Sequence, residues 1–143
     1  MATAPMHYVE VRAFCYATEA ADRVVAALRT ILPEDIEVER TSTEGHHGDP
    51  IDVLSARVET SEGIEAVLDA LEDLPDADYD RFLDELDERI DEDCNLFITL
   101  DKQAAYGDEV RLGEGITLRG KIEVYPAKRE KAIEQARDVL EPA

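Results

Sequence analysis

Two stretches of the chain alternate apolar and polar residues with the period of a β-strand that has one covered face. Residues 7–16 place Val9, Val11, Ala13 and Cys15 on one side, and residues 116–125 do the same with Ile116, Leu118, Ile122 and Val124. Successive side chains of a strand point to opposite faces of its sheet. The chain is therefore expected to form a sheet that buries one face and leaves the other open.

Shorter strand-like runs cover residues 36–43, 51–60 and 94–100, and amphipathic helical stripes follow Thr18, Ser61 and Asp76 and fill residues 127–140. Ser61 is expected to cap the second helix. The order β-α-β-β-α-α-β-β-α, with strands joined as hairpins, predicts an α+β fold. Its architecture is expected to be a two-layer sandwich with a mostly antiparallel sheet and the helices on one face.

The length of 143 residues predicts a single domain over residues 1–143, with residues 1–5 as a flexible N-terminus. No apolar run approaches the roughly 18 residues of a membrane span, and the start lacks a signal-peptide pattern. A cytoplasmic protein without a membrane partner is expected. Cys15 and Cys94 lie in apolar strand-like runs, which favours two buried thiols over a disulfide.

The charge is strongly acidic, with 35 acidic and 15 basic residues and a net charge of −20. Such a charge keeps a protein soluble but destabilises its compact state through self-repulsion, which molar salt screens. We interpret this charge as the sign of a halophilic, salt-adapted source.

The basic residues are unevenly distributed along the chain: residues 102–143 hold 8 basic and 8 acidic side chains. An anionic ligand is expected to dock on this C-terminal part, unless the asymmetry is an accident of a small sample.

The loop of residues 44–51 carries His46 and His47 between two strand-like runs. Imidazole titrates near neutrality, and Glu44 and Asp49 are close enough in sequence to act as metal co-ligands. Neighbouring residues in one loop rarely point at the same ion, so no metal is expected here. The histidines are instead expected to shape the loop tip or to contact a ligand or partner.

No phosphate-binding loop, dinucleotide fingerprint, zinc-ligand cysteine pair or nucleophile elbow is present, so no enzyme and no cofactor are predicted. The remaining constellation is a set of C-terminal cations: Lys102, Arg111, Arg119, Lys121, Lys128, Arg129 and Lys131. Cations with nearby planar groups are typical of RNA recognition. Arg119 and Lys121 fit equally well as cross-strand ion-pair partners.

Four segments carry a resemblance to a known family: residues 7–12, 44–51, 100–104 and 125–130. They look like the archaeal family of predicted exosome-associated RNA-binding proteins, and the resemblance covers nearly the whole chain. It implies an α+β fold similar to the large-subunit ribosomal protein that binds the small ribosomal RNA. It also implies a role in RNA processing or decay, pairing into homodimers, and no catalytic residue set.

The sequence thus predicts a non-catalytic accessory protein that binds structured, ribosomal or transfer RNA and cooperates with RNA-processing proteins. The predicted RNA-binding residues are Lys102, Gln103, Arg119, Lys121, Lys128, Arg129, His46 and His47. We expect the histidine loop and the Asp101-Lys102-Gln103 turn to frame one ligand site. Two alternatives stay open: a small histidine- or metal-dependent phosphoesterase centred on residues 44–51, and a protein–protein interaction module using the sheet face or a helix stripe.

Overall fold

The computed structural model of the chain describes residues 6–44 and 50–140. Within them, strands and helices follow one another from the first described residue to the last. The strands are β1 (Met6–Tyr16), β2 (Glu39–Glu44), β3 (Pro50–Val58), β4 (Asn95–Asp101) and β5 (Gly115–Ile122). The helices are α1 (Ala21–Leu28), α2 (Ser61–Leu71), α3 (Asp76–Asp84), α4 (Leu86–Arg89), α5 (Lys102–Tyr106) and α6 (Arg129–Leu140).

The five strands form one antiparallel sheet in the order β2-β3-β1-β5-β4. The long strand β1 lies at its centre, where it pairs with β3 on one side and β5 on the other. The registers Val11↔Ala56 and Val11↔Leu118 bring the apolar sets of neighbouring strands onto the same face. The sheet is therefore apolar on one face across its width.

The helices cover that apolar face. Val9, Val11, Leu54, Ile98 and Leu118 are almost completely buried there. They pack in one core with helix residues that include Val24, Leu28, Ile64, Val67, Phe82 and Ala132. The predicted α+β fold is confirmed, with an antiparallel sheet and a helical layer. Cys15 and Cys94 are buried free thiols, as the strand pattern predicted.

Local details differ from the sequence prediction. The hydroxyl of Thr60, and not that of Ser61, caps α2: it accepts a hydrogen bond from the Gly63 N–H at 3.1 Å. The Ser61 prediction was wrong by one residue, because both hydroxyls precede the helix and only backbone geometry separates them. The Asp101-Lys102-Gln103 turn begins the short helix α5, in which the Asp101 side chain accepts a hydrogen bond from the Ala104 N–H at 3.1 Å.

None of the helices in residues 6–44 and 50–140 has the length and apolar character needed to cross a bilayer.

Candidate nucleic-acid interface

The face of the sheet opposite the helices is solvent-accessible and carries the outward residues of every strand. On β3, β1 and β5 these residues are aligned by register: Arg57 with Glu10 and Arg119, and Ser55 with Arg12 and Thr117. The edge strand β4 adds Phe97 beside Arg119 and Thr99 beside Thr117. We call the outward residues of β3, β1 and β5 the central strip.

The central strip is positively charged in a chain whose net charge is −20. Its cations are Arg12, Arg57, Arg119 and Lys121, and Glu10 is its one carboxylate among the described residues. Four cations against one acid give this strip a net charge of +3. Acids border the strip: Glu59 lies 3.8 Å from Arg57, and Glu39 and Asp101 lie on the edge strands β2 and β4.

Tyr8 organises one end of the strip. The Arg57 guanidinium lies 3.9 Å from the centroid of the Tyr8 ring, and the Arg119 guanidinium lies 5.8 Å from it. A nitrogen of Arg119 also forms an ion pair with the Glu10 carboxylate at 3.4 Å. The cross-strand ion pair expected for Arg119 is therefore present. Its Nε is buried and has no hydrogen-bond partner within the described residues.

The other two cations of the strip are held differently. Lys121 donates a hydrogen bond from Nζ to the Asp93 carbonyl oxygen. Arg12 is exposed and forms no hydrogen bond or ion pair with any residue of the described ranges. Arg12 is thus the cation of the strip that a ligand can engage without displacing an internal contact.

Lys102, the first predicted RNA-binding residue, is only 8% exposed. Its Nζ donates to the Phe14 carbonyl oxygen at 2.6 Å and to Oε1 of Glu19 at 2.8 Å, and it lies 5.4 Å from the Tyr16 ring centroid. The ammonium is therefore engaged inside the protein, where it joins α5 to the end of β1.

Glu19 is the centre of this internal network. It accepts hydrogen bonds from Lys102, from the Tyr106 hydroxyl at 2.5 Å and from the Tyr16 N–H at 3.1 Å. Partial burial acts to raise the pKa of Glu19, but the hydrogen bonds from Lys102, Tyr106 and Tyr16 outweigh it and lower that pKa to about 2. Burial and the bond to Glu19 raise the pKa of Tyr106 to about 12.

The remaining predicted residues do not converge on one place. Gln103 is exposed on α5, and Lys128 is exposed just before α6. Arg129 contacts the backbone of α4 and of the residue after it: a terminal nitrogen donates to the Asp87 carbonyl, and Nε donates to the Ile90 carbonyl at 2.8 Å. Of the predicted set, Arg119 and Lys121 are the two that share the central strip.

His46 and His47 lie outside the described residues, so the structure does not test their predicted roles. The strands that lead into their loop are described: Glu44 pairs with Pro50, and the next residue, Ile51, pairs with Tyr16. Because Tyr16 also neighbours Lys102, the base of the histidine loop and the Asp101-Lys102-Gln103 turn lie at the same end of the sheet. Within the described ranges, no group of three histidine, cysteine or acidic residues has the arrangement of a metal site.

A family model described as RNA binding matches residues 8–122, which run from Tyr8 in β1 to the end of β5. The chain belongs to this RNA-binding family. RNA-binding protein PAB1135 of Pyrococcus abyssi is 35% identical to this chain over 144 residues, and the match covers 94% of this chain and 94% of that protein.

Solved structures of similar proteins agree with the fold. Protein AF2318 of Archaeoglobus fulgidus superposes with a TM-score of 0.84 at 35% identity, covering 94% of this chain and 99% of that one. Mth689 of Methanothermobacter thermautotrophicus, described as a DUF54 protein, gives a TM-score of 0.77 at 38% identity, with coverages of 95% and 98%. The relatives named here are archaeal.

The sequence prediction of the site missed Arg12, Phe14, Tyr16 and Phe97. The first three were visible in the alternation of residues 7–16, which placed them opposite the core set. What was missing was the strand order. Only the position of β5 between β1 and β4 shows that Phe97 and Arg12 belong to one surface.

Proposed function

We propose that this chain is a non-catalytic RNA-binding accessory protein and that the open sheet face is its RNA-binding surface. Membership of the RNA-binding family and the name of its Pyrococcus relative support the first part. The observation that carries the second part is the charge of the central strip, +3 in a chain of −20.

The difference in charge between the central strip and the rest of the chain favours RNA binding at the strip. Phosphate contacts require cations, and carboxylates elsewhere on the surface repel the RNA backbone. The central strip supplies four cations, and its one carboxylate, Glu10, is paired with Arg119 at 3.4 Å. Arg12 supplies an exposed guanidinium that has no hydrogen bond or ion pair within the described residues.

Three finer parts of the proposal rest on the family resemblance of the four segments: a link to RNA processing or decay through the exosome, a homodimeric state, and cooperation with RNA-processing proteins. A halophilic source rests on the net charge of −20, and a cytoplasmic location rests on the sequence pattern. His46, His47, Gln103, Lys128 and Arg129 remain predicted RNA contacts outside the strip. An RNA contact with Lys102 requires its ammonium to give up hydrogen bonds to Phe14 and Glu19.

RNA binding is tested by fluorescence anisotropy with labelled structured and single-stranded RNAs in molar potassium chloride. Wild type is compared with an Arg12→Glu, Lys121→Glu variant. The matched control is Arg81→Glu, Lys131→Glu, which changes two exposed helix cations on α3 and α6 and leaves the strip intact. Circular dichroism establishes that each variant is folded.

We expect saturable binding by wild type and by the control, and at least tenfold weaker binding by the strip variant. Equal weakening in both variants means that net charge alone governs binding, which contradicts a site on the open face. Absence of binding by wild type to every RNA contradicts direct RNA recognition by this chain.

A further inference from the structure

The open sheet face carries most of the large apolar side chains that are exposed in the described residues. These are Phe14 (42% exposed), Tyr16 (50%), Phe97 (37%) and Tyr125 (98%), and the first three lie on this face. A single exposed ring is ordinary on a protein surface. Three rings on one face, among cations, indicate a surface that binds something planar.

The rings fall into two groups. Phe14 and Tyr16 are neighbours on β1, with ring centroids 6.5 Å apart and planes inclined by 39°. Phe97 is on β4, two strands away, in register with Arg119 and Glu10. Strand spacing and rise place Phe97 about 17 Å from Phe14. Arg12, Arg119 and the threonines Thr99 and Thr117 occupy the sheet between the two groups.

This pattern favours a nucleic acid over a protein as the occupant. A protein docking surface is built around a contiguous apolar core with few charges. Here the rings are interleaved with guanidinium and hydroxyl groups. Stacking surfaces separated by cations are the combination that binds bases through their π-faces and the linking phosphates through charge.

The pattern also selects the kind of RNA. In a duplex the base faces are stacked on one another inside the helix, and they become available only in single strands, loops and bulges. We infer that the open face binds a short unpaired RNA segment, with one base on the Phe14–Tyr16 pair, another on Phe97, and phosphates between them on Arg12 and Arg119. This inference rests on the proposed function and adds the class of RNA.

Stacking also fits the charge of the chain. In molar salt, counterion release contributes little free energy to RNA binding. The flat faces of Phe14 and Phe97 contribute an interaction that does not depend on that term. An acidic protein with a small positive strip can therefore retain RNA affinity at a salt concentration that abolishes binding by charge alone.

The test uses single-stranded oligonucleotides with one 2-aminopurine, and a duplex of the same length, in molar potassium chloride. Stacking on a ring changes the fluorescence of this base. Phe14→Ala and Phe97→Ala are the test variants, with Phe14→Leu and Phe97→Leu in case the alanine variants do not fold. Tyr125→Ala is the control, since it removes an exposed ring that lies beyond the end of β5.

We expect wild type and Tyr125→Ala to prefer the single strand and to change its fluorescence. Loss of Phe14 or Phe97 is expected to weaken binding by about 5- to 100-fold. Equal affinity for duplex and single strand, or unchanged binding in the ring variants, overturns the inference while the proposed RNA binding stands. No binding of any RNA by wild type overturns both.

A dissociation of dimers caused by Phe14→Ala, measured by sedimentation, assigns the rings to contacts between copies of the chain. That result also overturns the inference.

Discussion

Lys102 and Glu19, 83 positions apart in sequence, form an ion pair of 2.8 Å that joins α5 to the turn after β1. Both side chains are largely buried, at 10% and 21% exposure. The same carboxylate accepts from the Tyr106 hydroxyl, and the same ammonium donates to the Phe14 carbonyl. The pair therefore holds the end of the sheet at which Phe14 and Tyr16 are exposed.

Glu19→Gln is expected to remove a pH-dependent part of the stability. The pKa of Glu19 is about 2 in the folded chain against 4.5 without these contacts. The unfolded chain therefore binds the proton more readily, and the stabilisation is complete above pH 4.5 and is lost as the pH falls through about 2. We expect the stability difference between wild type and Glu19→Gln to shrink by about 2 kcal/mol over that window.

Urea unfolding at pH values from 7 to 2.5 measures this difference. Glu34→Gln, which removes an exposed carboxylate on the loop after α1, is the control for the loss of one negative charge. A difference between wild type and Glu19→Gln that does not change with pH would mean that the carboxylate has no depressed pKa.

Lys102→Met is expected to destabilise the chain by about 2–3 kcal/mol, because it leaves a largely buried carboxylate without its cation. In the Glu19→Gln background the same substitution is expected to lower the free energy of unfolding by less, since no unpaired carboxylate is then left buried. A double-mutant cycle at pH 7 measures the coupling free energy, expected to be at least about 1 kcal/mol. Strictly additive effects of the two substitutions would contradict an energetic link between them.

Lys102 also shows what could not be predicted from the sequence alone. The alternation on β1 and β5 predicted the core face, because it is a local pattern. The partners of Lys102 lie more than 80 residues away in sequence. No local pattern distinguishes a lysine that is buried in such a network from one that is free for RNA.

The same limit applies to the open face. The sequence placed Arg12 and Phe14 on one side of β1 and Arg119 and Lys121 on one side of β5. It did not contain the pairing of β1 with both β3 and β5, which aligns these side chains in one strip. Charge counts along the chain therefore favoured its C-terminal part, whereas two of the four cations of the strip, Arg12 and Arg57, come from β1 and β3.

Thr60→Ala is expected to destabilise the chain by about 1 kcal/mol, because its hydroxyl accepts the otherwise free Gly63 N–H at the start of α2. Ser61→Ala removes a hydroxyl one residue later and is expected to change the stability by less than about 0.5 kcal/mol. Chemical denaturation of both variants shows which of the two hydroxyls caps α2. A larger effect at Ser61 than at Thr60 would reverse the assignment.

Gly115→Ala is expected to destabilise the chain by at least about 1–3 kcal/mol. Gly115 has φ of +115°, and a Cβ there would lie 2.5 Å from the Cβ of Lys102. Gly107→Ala is the matched control, since its Cβ would make only an ordinary contact of 3.5 Å with the Ala104 carbonyl oxygen. Thermal unfolding of the two variants provides the comparison, and equal melting temperatures would contradict the close approach at Gly115.

Potassium chloride is expected to stabilise this chain strongly. At 0.1 M salt the Debye length is about 10 Å, so the carboxylates that give the net charge of −20 repel one another across the surface, and at 1 M it falls to about 3 Å. The melting temperature should rise over that range by roughly 3–5 °C for each kcal/mol of repulsion removed. Asp80→Asn, Asp84→Asn, Glu88→Gln removes three exposed charges on α3 and α4 and should reduce the slope. A melting temperature that does not depend on salt would contradict repulsion between the surface carboxylates. An equal dependence of melting temperature on salt in wild type and the variant would mean that the charges on these two helices do not cause the effect.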